Sequence, residues 1–576
     1  MSLSVERLNL VHVIDPRVDV NARQRKQYGV MSSGNENTFK NFPSVNFSNS
    51  SLGFSCNPPN ERVFVNRRVY LQMQFQLIFV GTSPAAGVPL LQVLGLPHQG
   101  VANLSTSSCD APRCQPISQC LTSAQIKLNT DTLTSNLSQY WRAFTRYHNS
   151  VSNQDSQVSY TPTMPDQSQQ YSDLFGFARS PLRGYGDNPL QCPRGGFVNA
   201  VVVRNDSTGL PGDTAIINLT CMEPFYISPC LFGAHEEEQA FLGIQTIDIN
   251  CTLGGRGTGA FGGLIASLWS HDAVSNPSVI TTATANVTGA AMQFNYITPD
   301  MTVQLPKAIN YSYYEPNYLA TASSSPIASG AVFQGSMNTF QLKSIPNRVY
   351  VWVSERDQDM SMNKTDTYFG IQNVNITFEN RDGLLANASQ YDLYNMSVRN
   401  GCNLSWRQWT RDVGSVLCFS FGQDIALPPL QAAGLRGNFT FSMSLSAVNL
   451  SNSDKVPTIS VMIVNEGVMT ISNGEIFRSV GVLSEEDILQ TKQQDPVIYR
   501  PSSNVYGGSF WDDVGSWFKK AGRTVLNVAQ PLVRTLAPEY APALAVADDV
   551  ARAIGVGRKA KGGKALTRSK MLQLLK

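Results

Sequence analysis

A chain of 576 residues is too long for one ordinary core, and its length points to two to four domains. Charged residues make up only 15% against the usual quarter, and 43 Gly and 31 Pro accompany many Asn, Ser, Thr and Gln, which suits a β-protein with long polar loops or one that buries its outside against copies of itself. Net charge is +2 but uneven: from Ser509 onward 12 Lys/Arg face 5 Asp/Glu, while no run approaches 18 apolar residues, so no membrane-spanning helix is expected.

The opening Met1-Ser-Leu-Ser-Val-Glu6 has neither a basic start nor an apolar core and is not read as a signal peptide. The ten Cys include no C-x-x-C pair, and are expected as buried thiols rather than a disulfide framework. Residues 1–60 are polar and read as an extended arm. The first clear strand is Val69–Phe79, where apolar residues alternate with polar ones, mostly Gln; only a strand places Leu71, Met73, Phe75 and Leu77 on one face.

Further on, Asp131, Leu133, Asn136, Ser138, Gln139 and Tyr140 spell D-x-L-x-x-N-x-S-Q-Y. The pattern returns at Asp382, Leu384, Asn387, Ser389, Gln390 and Tyr391, every fixed residue offset by 251 positions. A short alternating strand precedes each copy, with Ile126 and Leu128 before the first and Ile376 and Phe378 before the second. A repeat this long is a duplicated domain, not a solenoid. A second related pair, Ile247–Leu253 and Phe439–Leu445, is offset by 192, so the first module holds 59 extra residues between motif and strand. Those extra residues fall in the Gln/Ser/Pro/Gly-rich stretch 147–199, expected as a long projecting loop.

The run from Gly254 to Gly263 is followed by no G-K-[ST] and no helical pattern, so it reads as a flexible joint rather than a phosphate loop. Ile345–Val353 is a further strand, and Val456–Ile471 reads as a hairpin turning near Asn465–Gly467. The expected division is an arm (1–60), a first module (61–255), a linker and start of the second module (256–290), the second module (291–485), a linker (486–508) and a tail (509–576). The fold class is all-β, of sandwich type, in two copies.

No catalytic, metal-binding or cofactor-binding residues emerge. His235-Glu-Glu-Glu-Gln239 lacks the second His of a zinc-protease helix, and no G-x-S-x-G elbow occurs.

The segments Ile14-Asp-Pro-Arg17, Phe54-Ser-Cys56 and Val65-Asn-Arg-Arg68, with the second D-x-L-x-x-N-x-S-Q-Y copy continuing to Val398-Arg-Asn-Gly-Cys402, carry a likeness over about residues 10–500. The chain resembles the double jelly-roll major capsid proteins of the adenovirus, Polinton and virophage lineage, of the Polinton-like virus or adintovirus type. The resemblance implies two tandem upright jelly rolls, an N-terminal arm beneath the shell, a tower on its outer face and a mainly helical C-terminal tail. It further implies a hexon-like homotrimer with a pseudo-hexagonal outline, tiling the icosahedral shell of a double-stranded DNA virus and lying in the virion. Neighbouring capsomers, penton and minor capsid proteins are the implied partners.

In the tail, Val514, Trp517, Phe518, Ala521 and Val525 form one helical stripe, preceded by Phe510 and Trp511 and capped by Ser509 with Asp512. Lys519, Lys520 and Arg523 flank it, as in a helix lying in a membrane interface; docking inside the shell floor is the other reading. Val505-Tyr506-Gly507-Gly508, just before Ser509, resembles the hydrophobic-x-Gly-Gly sites cut by adenovirus-type maturation proteases, which implies a viral protease as partner and a membrane-active peptide as product. The basic run Arg558, Lys559, Lys561, Lys564, Arg568 and Lys570 suits phosphate groups of packaged DNA or of anionic lipid. A tandem β-sandwich carbohydrate-binding (lectin-like) surface protein is the alternative; it accounts for the β content but not for the arm or tail.

Overall fold

The computed structural model describes residues 36–492, apart from 94–109, 148–159, 164–196, 227–239, 300–304 and a few positions singly or in pairs. In chain order the first module carries β1 (Glu36–Pro43), β2 (Asn46–Phe47), β3 (Ser51–Ser55), β4 (Phe64–Val65), β5 (Arg68–Thr82), β6 (Asp110–Pro112), β7 (Leu121–Leu128) and β8 (Asp131–Ser135). It continues with β9 (Ala200–Asn205), β10 (Asp213–Tyr226), β11 (Ile247–Leu253), β12 (Trp269–His271) and β13 (Val279–Thr298). One sheet runs β1-β13-β5-β10-β9, with β4 beside β13; the second runs β2-β3-β11-β7-β8; β12 and β6 pair separately. Successive long strands alternate between two antiparallel sheets, which is a jelly roll. The Gln-alternating run lies in β5: Leu71, Met73, Phe75 and Leu77 turn into the core with Ile126 and Ile249 of the opposite sheet.

The second module carries β14 (Ala308–Ala322), β15 (Val332–Ser344), β16 (Arg348–Glu355), β17 (Phe369–Phe378), β18 (Arg381–Leu384), β19 (Val416–Ser420), β20 (Arg436–Asn449), β21 (Pro457–Ser472) and β22 (Glu475–Val480). Its sheets run β14-β21-β16-β19, with β22 beside β21, and β15-β20-β17-β18. Strand for strand, β1-β13-β5-β10 corresponds to β14-β21-β16-β19, and β3-β11-β7-β8 to β15-β20-β17-β18. The duplication is one of topology as well as of sequence.

Three boundaries differ from expectation. The arm is already sheet from Glu36, because β1 pairs along its whole length with β13. The stretch 256–290, expected as linker and start of the second module, supplies most of β13, which lies between β1 and β5 inside the first module's sheet. The hairpin expected at Asn465–Gly467 is absent: β21 runs straight through, pairing Asn465 with Glu315 and Gly467 with Tyr313, and the chain reverses only after Ser472.

Candidate assembly site at the joint between modules

Both D-x-L-x-x-N-x-S-Q-Y copies form the same unit, a short edge strand followed by a helix. In the first, Leu133 of β8 pairs with Ile126 of β7, and α2 (Leu137–Tyr147) follows the five-residue α1 (Pro116–Cys120) in the chain. In the second, Leu384 of β18 pairs with Ile376 of β17. After α3 (Leu264–Leu268), the next helix is α4 (Gln390–Arg399), which opens on a reciprocal cap: the Ser389 hydroxyl accepts from the Asp392 N–H, and the Asp392 carboxylate accepts from the Ser389 N–H at 2.9 Å.

The first copy is the seam between modules. Tyr140 is 5% exposed, and its hydroxyl donates to the Pro316 carbonyl on β14 at 3.3 Å; burial pushes that hydroxyl up to about 12, so it keeps its proton. Tyr147, at the end of α2, stands edge-on to Tyr350 with ring centroids 5.0 Å apart and donates to the Val416 carbonyl at 2.5 Å. At the rim, Arg478 of β22 donates to the Asp131 carboxylate at 2.9 Å and to the Tyr313 hydroxyl at 3.1 Å.

A buried ionic cluster closes the same seam. Arg256 pairs with Asp366, donates to the Gln119 side-chain oxygen at 2.9 Å and meets Asp357 at 3.2 Å. Arg113 donates to the carbonyls of Ser361 at 2.9 Å and Lys364 at 2.6 Å. Arg142 reaches Asp357 at 3.3 Å. The arginines come from the first module and, Gln119 apart, these acceptors come from the second. Burial alone would raise the Asp366 carboxyl, but the Arg256 and Arg113 guanidiniums hold it well below the usual carboxylate range. Lys455 and Lys364 bracket Glu355 at 2.7 Å each behind this cluster.

Arg256 is positioned by the Gly-rich run, which is not a flexible joint. Gly257 has φ +77°, and a Cβ there would stand 1.8 Å from the Met360 carbonyl oxygen, while one at Gly255 would stand 1.8 Å from the Gly263 backbone. Glycine is needed because two backbones touch. A helix does open after the run, but α3 is only one turn long and gives no anion site.

The joint also fuses the cores. The outward side chains of the second module's sheet, Tyr350, Trp352, Val416, Cys418, Met462 and Val464, belong to the first module's apolar cluster; the inward Val349, Val351, Leu417 and Phe419 fill the second module's own. Consequently seven of eight residues in β16 and all five in β19 are buried. Strands buried on both faces read as unbroken apolar runs, and Val349-Tyr-Val-Trp-Val353 is such a run beside the Gln-alternating β5. That contrast is the signal in the sequence that marks the joint.

Of the other sequence-derived sites, Val505–Ser509, the stripe from Phe510 to Val525 and the basic run from Arg558 to Lys570 lie outside the described residues, as does His235. So does most of 147–199; of its described part, Thr161 is buried and donates to Glu223 at 3.1 Å. The seven described cysteines are buried and form no disulfide with one another.

Residues 8–297 match the family described as Sputnik virophage major capsid protein 1st domain, and residues 315–467 the major capsid protein V20 C-terminal domain. The chain is 26% identical over 558 residues to the putative capsid protein V20 of Sputnik virophage, covering 92% of this chain and 89% of that one. Among solved structures it is similar to a chain of the 3.5 Å cryo-EM structure of the Sputnik virophage, with TM-score 0.69, 26% identity and coverage of 89% of this chain and 99% of the other. The crystal structure of the mavirus major capsid protein, with TM-score 0.63, 13% identity and coverage of 85% and 99%, shares the fold.

Proposed function

Because this chain belongs to the Sputnik virophage major capsid protein family, and is a shell-forming structural protein of the virion rather than an enzyme, we propose that three copies close into a ring of six jelly rolls that tiles an icosahedral facet. Self-assembly into the shell comes with the family; the trimeric ring is the finer step. The observation that carries it is the repeated strand order of the two rolls, held side by side by a buried seam. Two fused, non-identical copies let a threefold ring approximate sixfold packing. Penton and minor capsid proteins would then meet the ring at its edges. Native mass spectrometry of the recombinant chain at micromolar concentration is expected to give three times the 63.0 kDa of one copy; a folded chain that stays monomeric would overturn the ring.

The proposal extends to the tail. Cleavage after Gly508 by a maturation protease would release a peptide opening on Phe510 and Trp511, whose apolar stripe through Val525 could insert in a membrane interface while the basic run meets phosphate groups. Each large aromatic would contribute roughly 1.5–3 kcal/mol if buried. Mass spectrometry of purified particles is expected to find chains ending at Gly508, and an intact C-terminus alone would remove the idea.

A further inference from the structure

The chain uses its seam once and carries the two halves of it a second time, unmatched. By the 251-residue offset, Tyr140 corresponds to Tyr391 and Tyr147 to Val398. Tyr140 and Tyr147 lie against the second module's sheet. Tyr391 is 58% exposed and Val398 40%, although the helix that carries them repeats α2 and is well capped. Trp406 joins them, 39% exposed, its ring 5.5 Å from that of Tyr391. Three large apolar side chains thus stand open at the place where the first copy makes its joint.

The other half is the outer face of the first module's sheet. The strands corresponding to β16 and β19 are β5 and β10. There the alternate positions are half-buried or exposed rather than buried: Ile78 faces Ile216 across the strands, and Gln76 faces both Asn218 and Asn286. Val201 and Val203 of β9 and Val279 of β13 are exposed at its margins, where Arg204 of β9, paired to Asp206, also stands. The outward positions of β5 from Tyr70 to Val80, and those paired to them on β10 and β13, include no Lys, Arg, Asp or Glu. A solvent-facing surface ordinarily carries a quarter or more charged residues, whereas interface centres are depleted of charge.

We propose that the α4 face of one copy, Tyr391, Val398 and Trp406, seats on the outer β5/β10/β13 face of a second copy, repeating between chains the joint already made within one. The proposal rests on the ring reading and supplies its contact. The two joints differ in chemistry as their histories require. The internal one centres on aromatic and aliphatic groups, Tyr350, Trp352 and Met462, with the buried ionic cluster beside them, and is never exposed once the chain folds. The external one is amide- and hydroxyl-rich, so the unassembled subunit can present it to water. A head-to-tail contact of this kind closes when the rotation per copy divides the circle, and the ring reading sets that closure at three.

The test is a cysteine cross-link in the full chain. Val398→Cys is combined in turn with Gln74→Cys, Gln76→Cys or Ile78→Cys, and mild oxidation is followed by denaturing electrophoresis. At least one pair is expected to give a covalent ladder ending at three chains. Absence of cross-links in a preparation that native mass spectrometry shows to be trimeric overturns the contact while leaving the ring intact; a monomeric parent chain overturns the ring itself. Independently, Val398→Asp with Tyr391→Ser is expected to raise the concentration needed for trimer formation at least tenfold at an unchanged far-UV circular dichroism spectrum. A folded variant that assembles at the parent concentration overturns the proposal, and if this variant does not fold the cross-link still decides.

Discussion

Replacing Arg256 with alanine is expected to destabilise the folded chain by about 3–5 kcal/mol, the cost of leaving a buried charge without its partner. The loss falls on Asp366, whose carboxylate is 4% exposed and would keep Arg113, at 3.6 Å, and the Gln119 amide at 3.2 Å. Asp357 suffers less, since Arg142 remains beside it. The double variant Arg256→Met with Asp366→Leu removes both charges but leaves the buried Arg113 with the Ser361 and Lys364 carbonyls and no Asp366 carboxylate, so it is expected to recover only part of the loss. Denaturant titration of the parent, Arg256→Met, Asp366→Leu and the double variant measures this as a double-mutant cycle. The pH dependence follows from the sign of the Asp366 shift. A carboxyl depressed in the folded state contributes fully above its unfolded value, near 4, and the contribution is lost as pH falls from there through the depressed folded value. Asp366→Asn should therefore be less stable than the parent at pH 7, and the gap should narrow below about pH 4.

How much of this was legible in the sequence depends on what each residue faces. β5 could be read because one of its faces meets water, so polar and apolar residues must alternate. The D-x-L-x-x-N-x-S-Q-Y unit could be read because it combines a pairing residue, Leu133 or Leu384, with the start of a helix, and both constrain residue type locally. β13 was missed for a different reason: Val279–Thr298 is built largely from Thr, Ala, Asn and Gly, residues with little apolar contrast, and register shifts at Ile280/Thr282 and Val287/Gly289 break the alternation. Asn465-Glu-Gly467 looked like a turn, yet Gly467 is there because the neighbouring strand passes close; a Cβ would stand 2.2 Å from the Ser479 carbonyl oxygen. The glycines before Leu264 misled in the same way. Glycine in sequence signals freedom or close approach equally, and only the fold says which. The ionic cluster was out of reach altogether, since Arg113, Arg256 and Asp366 come together only when the two modules are placed.

Trp352→Ala is expected to cost about 3–5 kcal/mol and to change the manner of unfolding as well as its midpoint. Trp352 points away from its own module's core and is fully buried, its ring tilted over Tyr318 at 6.0 Å and continuous with the first module's apolar cluster. Phe419, next to it in kind but facing inward, belongs to the second module's cluster. Phe419→Ala removes a comparable volume without touching the seam. Calorimetry should then separate them: Phe419→Ala lowers one cooperative transition, while Trp352→Ala divides it into two, because coupling between the rolls depends on apolar contact across the joint. Trp352→Phe should stay close to the parent, since it keeps most of the ring and surrenders an N–H that has no acceptor among the described residues. If Trp352→Ala still melts as one unit, the rolls are held together by the charged cluster around Arg256, and the cost predicted for that residue must account for the whole joint. The distinction bears on assembly: a seam held by apolar area is complete before any second copy arrives, so each chain enters the ring as a rigid pair of rolls whose spacing is already set.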